Sequence, residues 1–148
     1  RLVGSEMCIR DRIDAALADI NAAIDQAART VDFTGIGSLV GLAGSVTTIT
    51  ANALHLTDYD KDAIHGARLP VQQVVDSCDE LLLATRAQRA ALPFMHPGRV
   101  DVIGAGALVW RTIVQRVTAE AGIEQTVTSE KDILDGIALS AARAFPPS

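Results

Sequence analysis

An α/β fold, rich in helix and built on a parallel sheet, is predicted by three features of this 148-residue sequence. Segments with apolar residues three and four positions apart alternate with short continuous apolar runs, the order expected when helices cover parallel strands. Hydrophobic residues make up 49% of the chain and charged residues 21%, a balance that excludes disorder and collagen-like repeats. Aromatics are only 3%, so the core must be built from Ala, Val, Ile and Leu. The length suits one domain, enough to bury roughly 70% of the unfolded surface.

Each element has its own signal. Residues 1–12 (RLVGSEMCIRDR) lack an initiator methionine and show neither strand alternation nor a helical stripe. Charges at Glu6, Arg10, Asp11 and Arg12 rule out the apolar core of a secretory signal. The phrase resembles a translated sequencing adapter, so a foreign leader is expected at 1–12, with the true N-terminal part lost and the chain a fragment. From Ile13, the positions Ile13, Ala16, Leu17, Ile20, Ala23, Ile24 and Ala27 form one helix face over about 13–29. Residues 34–38 (TGIGS) read as a turn, and 39–43 (LVGLA) as a strand buried on both faces. Ser45 is then expected to cap a helix over 46–54.

A brief extended segment over 64–69 ends at Pro70, which suits the first turn of a helix. Val71, Val74, Val75, Cys78, Leu81 and Leu82 give that helix its stripe. A shorter helical piece follows over 85–92 and stops at Pro93. A long helix is expected from about Arg99 to Glu120, ending near Gly122. Gly104 and Gly106 inside it would let another backbone approach, at a cost of ~1 kcal/mol each relative to Ala. Residues 123–128 read as a strand. Ser129 to Asp132 has the form of a capping box that opens a last helix through Ala144, terminated by Pro146 and Pro147. Two strands are few for so much helix, so further strands are expected upstream.

Several functions are excluded or left without support. Cys8 and Cys78 are too few for a disulfide scaffold and have no metal-ligand spacing. No apolar run reaches the ~18 residues of a membrane span, and a net charge of −5 argues against unspecific DNA binding. His55, His65 and His96 lack a metal-site spacing and are expected to be structural or exposed. No paired carboxylates or G-x-S-x-G motif marks a catalytic centre.

The informative constellation is the strand-turn-helix of 39–48 (LVGLAGSVTT). Glycine at a strand end admits close approach, and the free N–H groups of the next helix favour an anion by ~0.3–1 kcal/mol. Ser45 and Thr47 add hydroxyls. The spacing matches neither a dinucleotide fingerprint nor a Walker A loop, so a tight turn capped by Ser45 is the competing reading. Among Arg68, Arg86, Arg89 and Arg99, the last opens a buried helix. It could hold a phosphate oxygen or pair with Asp101 or another carboxylate.

Four phrases in order, GLAGSVTTITANAL (41–54), YDKDAIHGARL (59–69), MHPGRVDVIGAGALV (95–109) and TVTSEKDILDGIAL (126–139), give the chain a close resemblance to the C-terminal part of the Ppx/GppA family of exopolyphosphatases and guanosine pentaphosphate phosphohydrolases. The resemblance covers roughly 13–145. It implies a ribonuclease H-like second domain of the actin, sugar kinase and heat-shock chaperone superfamily, with 41–47 in place of the adenosine motif and 132–139 beginning the last core helix. The implied activity is removal of the terminal phosphate of inorganic polyphosphate, or of the 5′ phosphate of guanosine pentaphosphate, by a cytoplasmic, magnesium-dependent enzyme. A homodimer is among the implied assemblies. The family's two Asp-x-Gly loops and its glutamate belong to an upstream lobe, and no Asp-x-Gly occurs in this sequence. Gly44, Ser45, Thr47 and Arg99 are therefore the carried-over phosphate or nucleotide contacts, with no catalytic residue and no metal ligand. The alternative is a non-catalytic nucleotide- or partner-binding module.

Overall fold

The computed structural model describes residues 3–144. A first helix, α1 (Val3–Ala28), leads through a 3-10 turn (Phe33–Gly35) to strand β1 (Leu39–Leu42) and helix α2 (Gly44–Ala53). Short helix α3 (Lys61–Ile64), strand β2 (Arg68–Pro70) and helices α4 (Val71–Leu83) and α5 (Arg86–Ala90) follow. A second 3-10 turn (Pro97–Arg99) precedes the long helix α6 (Ile103–Ala121), strand β3 (Gln125–Ser129) and helix α7 (Ile133–Ala144). The result is a helix-rich α/β layer on a small sheet of order β1-β3-β2. β1 runs parallel to β3 with Val40 opposite Val127, as the alternation predicts, while β2 joins the other side of β3 antiparallel. That third strand was hidden in the brief extended segment. Its last residue, Pro70, needs no ladder N–H on an edge strand.

Helices α2, α4 and α6 pack on one face of the sheet. Ile49, Cys78, Leu81, Ile103 and Val114 meet there with at most 1% exposure. Truncating one of the Ile or Leu side chains to Ala costs about 2–5 kcal/mol. Polar groups inside this layer are paired. Thr50 of α2 bonds Thr128 of β3 at 2.7 Å, and Asn52 donates to Ser77, whose hydroxyl donates to the Ile49 carbonyl. Cys78 is a free thiol that burial pushes up to about 12.

Several elements depart from the sequence expectations. α1 begins at Val3, ten residues ahead of the expected start, and it packs on α6 through Ile24 and an Arg116–Asp25 ion pair of 2.7 Å. β1 is not covered on both faces. Gly41 is buried against Trp110, but Val40 and Leu42 are about half exposed because no described element lies over them. The long helix starts at Ile103, since His96 Nδ1 accepts the Gly98 N–H and Pro97 sets a separate 3-10 turn. Gly122 ends it in the left-handed region at φ 67°, as expected. The final cap sits three residues later than expected. Ser129 belongs to β3, whereas Asp132 accepts the Leu134 N–H and Asp135 accepts the Asp132 N–H. α7 has no buried residue, so the expected core helix lies on the surface, with Ile133, Leu134, Ile137 and Leu139 exposed. Pro146 and Pro147 lie outside the described residues.

Candidate functional site

The turn between β1 and α2 is built by one unusual residue. Ala43 takes φ 72° and ψ 168°, an extended positive-φ region occupied essentially by glycine alone that costs another residue roughly 1–3 kcal/mol. It thereby starts α2 at Gly44 directly beyond the strand. No side chain caps this end. The N–H groups of the first turn therefore have no intrahelical acceptor, as at any helix start. Ser45, expected as the cap, lies inside the helix instead, with its hydroxyl packed against Gly106 of α6. Gly106 is thus indispensable to close packing, but what approaches it is a side chain and not a second backbone. Gly104 behaves likewise, with the Arg89 guanidinium 2.5 Å from where a β-carbon would stand.

The four arginines separate by environment. Arg68 is exposed on β2. Arg86 pairs with Asp101 at 2.8 Å on the surface, which removes Asp101 as a partner for Arg99. Arg89 donates to the carbonyls of Leu81 and Leu82 at 2.9 and 3.1 Å, closing the C-terminal end of α4. Only Arg99 reaches the α2 turn. Its guanidinium lies across Gly44, 2.6–2.7 Å from where a β-carbon would be, and donates to Thr48 Oγ1 at 3.0 Å. It also sits 5.9 Å from the centroid of the Tyr59 ring, within range of a cation–π contact. Among the described residues it has no carboxylate partner.

Thr47 and Thr48 complete the first turn. Thr48 Oγ1 donates to the Gly44 carbonyl at 2.8 Å, and Thr47 Oγ1 lies 2.7 Å from the Tyr59 hydroxyl. Glu130, just beyond β3, accepts from that same hydroxyl at 2.6 Å. Burial first, and the Glu130 carboxylate next, raise the Tyr59 pKa. A cavity of about 310 Å³ opens beside these groups, lined by Tyr59, Phe94, Met95, His96 and Arg99. The larger cavity, about 700 Å³ between α1 and α6, is lined almost wholly by apolar residues and lies away from this chemistry.

The structure thus brings Gly44, Thr47 and Arg99 together, leaves Ser45 facing α6, and adds Thr48, Tyr59 and Glu130. In the sequence Thr48 lies within the 39–48 motif with no signal of its own, and Tyr59 falls in a connection. Glu130 carried no signal beyond the capping pattern. The histidines have local roles or face outward: His65 Nδ1 accepts the Glu130 N–H, and His96 caps its turn. No cluster of three metal-ligating side chains exists among the described residues. Hydroxyls, one carboxylate and a guanidinium do not make an octahedral magnesium site. Free helix N–H groups beside an unpaired guanidinium instead suit a phosphate.

Comparisons with known proteins identify the family of the chain. The sequence profile of the Ppx/GppA phosphatase family matches residues 1–141. Exopolyphosphatase 2 of Mycobacterium tuberculosis, from strains CDC 1551 and H37Rv, is 43% identical over 96% of this chain. The crystal structure of an exopolyphosphatase-like protein superposes with a TM-score of 0.88 at 40% identity, over 91% of this chain and 44% of that one. An Aquifex aeolicus member of the Ppx/GppA family shares the fold at TM-score 0.74 and 18% identity, over 94% of this chain and 43% of that one. The chain spans 44% of the length of the curated relatives it matches. By profile, sequence and fold together, it belongs to the Ppx/GppA phosphatase family.

Proposed function

We propose that residues 13–145 are the C-terminal part of an exopolyphosphatase that removes the terminal phosphate of inorganic polyphosphate, with guanosine pentaphosphate as the other candidate substrate. The observation that carries this is Arg99, held over Gly44 at an uncapped helix start and without a carboxylate partner among the described residues. On this reading the N–H groups of 43–46 and the Arg99 guanidinium hold phosphate oxygens and offset the charge that grows on them as the phosphoanhydride breaks. Water attacks the terminal phosphorus, and the bridging oxygen leaves on the shortened chain. The carboxylate that orients this water belongs to an upstream lobe, as do the Asp-x-Gly loops. Magnesium belongs there too, because the donors present here do not fit it. We also assign the lobe to the ribonuclease H-like superfamily of actin and sugar kinases. A cytoplasmic location and a homodimer complete the reading.

The test is phosphate release from long-chain polyphosphate. The 148-residue chain alone should release a negligible amount, and the same chain joined to an upstream half with both phosphate loops should turn over. Release by the chain alone near ~1 s⁻¹ or faster, within the ordinary range of enzymes, would contradict the upstream placement of catalysis. Binding without turnover by the joined protein would favour the non-catalytic module.

A further inference from the structure

We propose that Tyr59 is a positioning residue of the anion site, engaging Glu130 with its hydroxyl and carrying Arg99 on its ring so that the carboxylate does not compete with phosphate for the arginine. The proposal rests on the phosphate reading above. Tyr59 comes from the connection between α2 and α3, yet it touches three separated segments: Thr47 in the first turn of α2, Arg99 before α6 and Glu130 after β3. One phenolic O–H cannot serve two acceptors. The carboxylate, which only accepts, takes its proton at 2.6 Å, and the Thr47 hydroxyl, whose oxygen lies 2.7 Å from the tyrosine oxygen, donates to the Gly44 carbonyl at 3.3 Å.

Glu130 is the hazard in this arrangement. It is a negative charge on the tyrosine that supports Arg99, in a site that must receive a polyanion. A carboxylate released from the hydroxyl would have the Arg99 guanidinium as a competing partner across the shared tyrosine, since charge-assisted pairing exceeds a neutral hydrogen bond, with Lys61 and Lys131 lining the cavity on its other side. Bound to Tyr59, and with its backbone N–H fixed on His65 Nδ1 at 3.2 Å, Glu130 is held back. The Arg99 N–H groups engaged by neither Thr48 nor Tyr59 stay available.

Titration of the 148-residue chain with tripolyphosphate, with a melting curve for every variant, tests this. Tyr59→Phe keeps the ring and removes the hydroxyl, and should weaken binding about tenfold. Adding Glu130→Gln to Tyr59→Phe should restore affinity to within about twofold, a rescue that a purely structural tyrosine would not show. Unchanged binding by Tyr59→Phe, or a double variant as weak as the single one, would overturn the proposal. If Tyr59→Phe does not fold, Glu130→Gln alone decides, since it should bind at least as tightly as the parent, and weaker binding would refute the proposal. Arg99→Ala separates the two layers. If it binds like the unmodified chain, or the unmodified chain does not bind, the phosphate reading fails and this one with it. If Arg99→Ala is weakened and Tyr59→Phe is not, only the role of Tyr59 fails.

Discussion

Arg89 and Arg99 lie across a glycine in the same way, and the difference between their surroundings separates a structural cation from a binding one. At Gly104, in the uncapped first turn of α6, Arg89 also meets the C-terminal end of α4, where it donates to the Leu81 and Leu82 carbonyls and the negative end of that helix dipole offsets the start of α6. At Gly44, Arg99 meets the N-terminal end of α2, where the dipole and the free N–H groups carry the same sign as the arginine. Such a placement is disfavoured by ~0.3–1 kcal/mol when nothing lies between. One hydroxyl bond and an aromatic face compensate only in part. An anion between arginine and helix end would turn the repulsion into two attractions.

The largest effect is expected on the structural side, in the core that α4 and Arg89 close. The folded Cys78 thiol stays protonated up to about 12, while the unfolded thiol ionises near 9.0. Stability should therefore be intact below pH 9 and fall by about 1.4 kcal/mol per pH unit above it, until the folded pKa is reached. Denaturant titrations across that range check the slope. Cys78→Ala should remove most of it, leaving a loss above pH ~10 from Tyr59, whose pKa is also raised on folding.

Next in size is the arginine pair. Arg89→Ala should lower stability by about 1–3 kcal/mol, because partly buried carbonyls lose charged donors, and should leave phosphate binding alone. Arg99→Ala should change stability by less than about 0.5 kcal/mol while phosphate binding collapses. Equal destabilisation by both would erase the distinction. The glycines give the same contrast at smaller scale. Gly104→Ala should push Arg89 from its carbonyls and cost about 1 kcal/mol, near the worth of one hydrogen bond. Gly44→Ala should move Arg99 and weaken phosphate binding with little change in melting temperature. Smallest of all, Arg86→Ala breaks an exposed pair with Asp101 and should stay within about 0.5 kcal/mol on both readouts.

Much of this was legible in the sequence because it depends on local signals. The period of Val71 to Leu82 fixes α4, Gly122 marks the end of α6, and the glycines near Ser45 point to the right turn. What was not legible depends on distant partners. Nothing near Ser45 in sequence says that its hydroxyl will meet Gly106, or that Ala43 will accept a positive φ and move the helix start forward. The burial of β1 was misjudged for a related reason. An apolar run such as Leu39 to Leu42 shows that a strand can be covered on both faces, and the described residues supply only one cover. The choice between pairing and phosphate for Arg99 turned on Asp101, which Arg86 takes.

The most direct test is the KM for polyphosphate of the chain joined to its upstream half, measured for Arg99→Ala and Arg89→Ala side by side. KM should be at least about tenfold higher for Arg99→Ala, the loss of one charged contact of ~1.4 kcal/mol or more, and unchanged for Arg89→Ala. An unchanged KM for Arg99→Ala, or an equal rise for both variants, would contradict this.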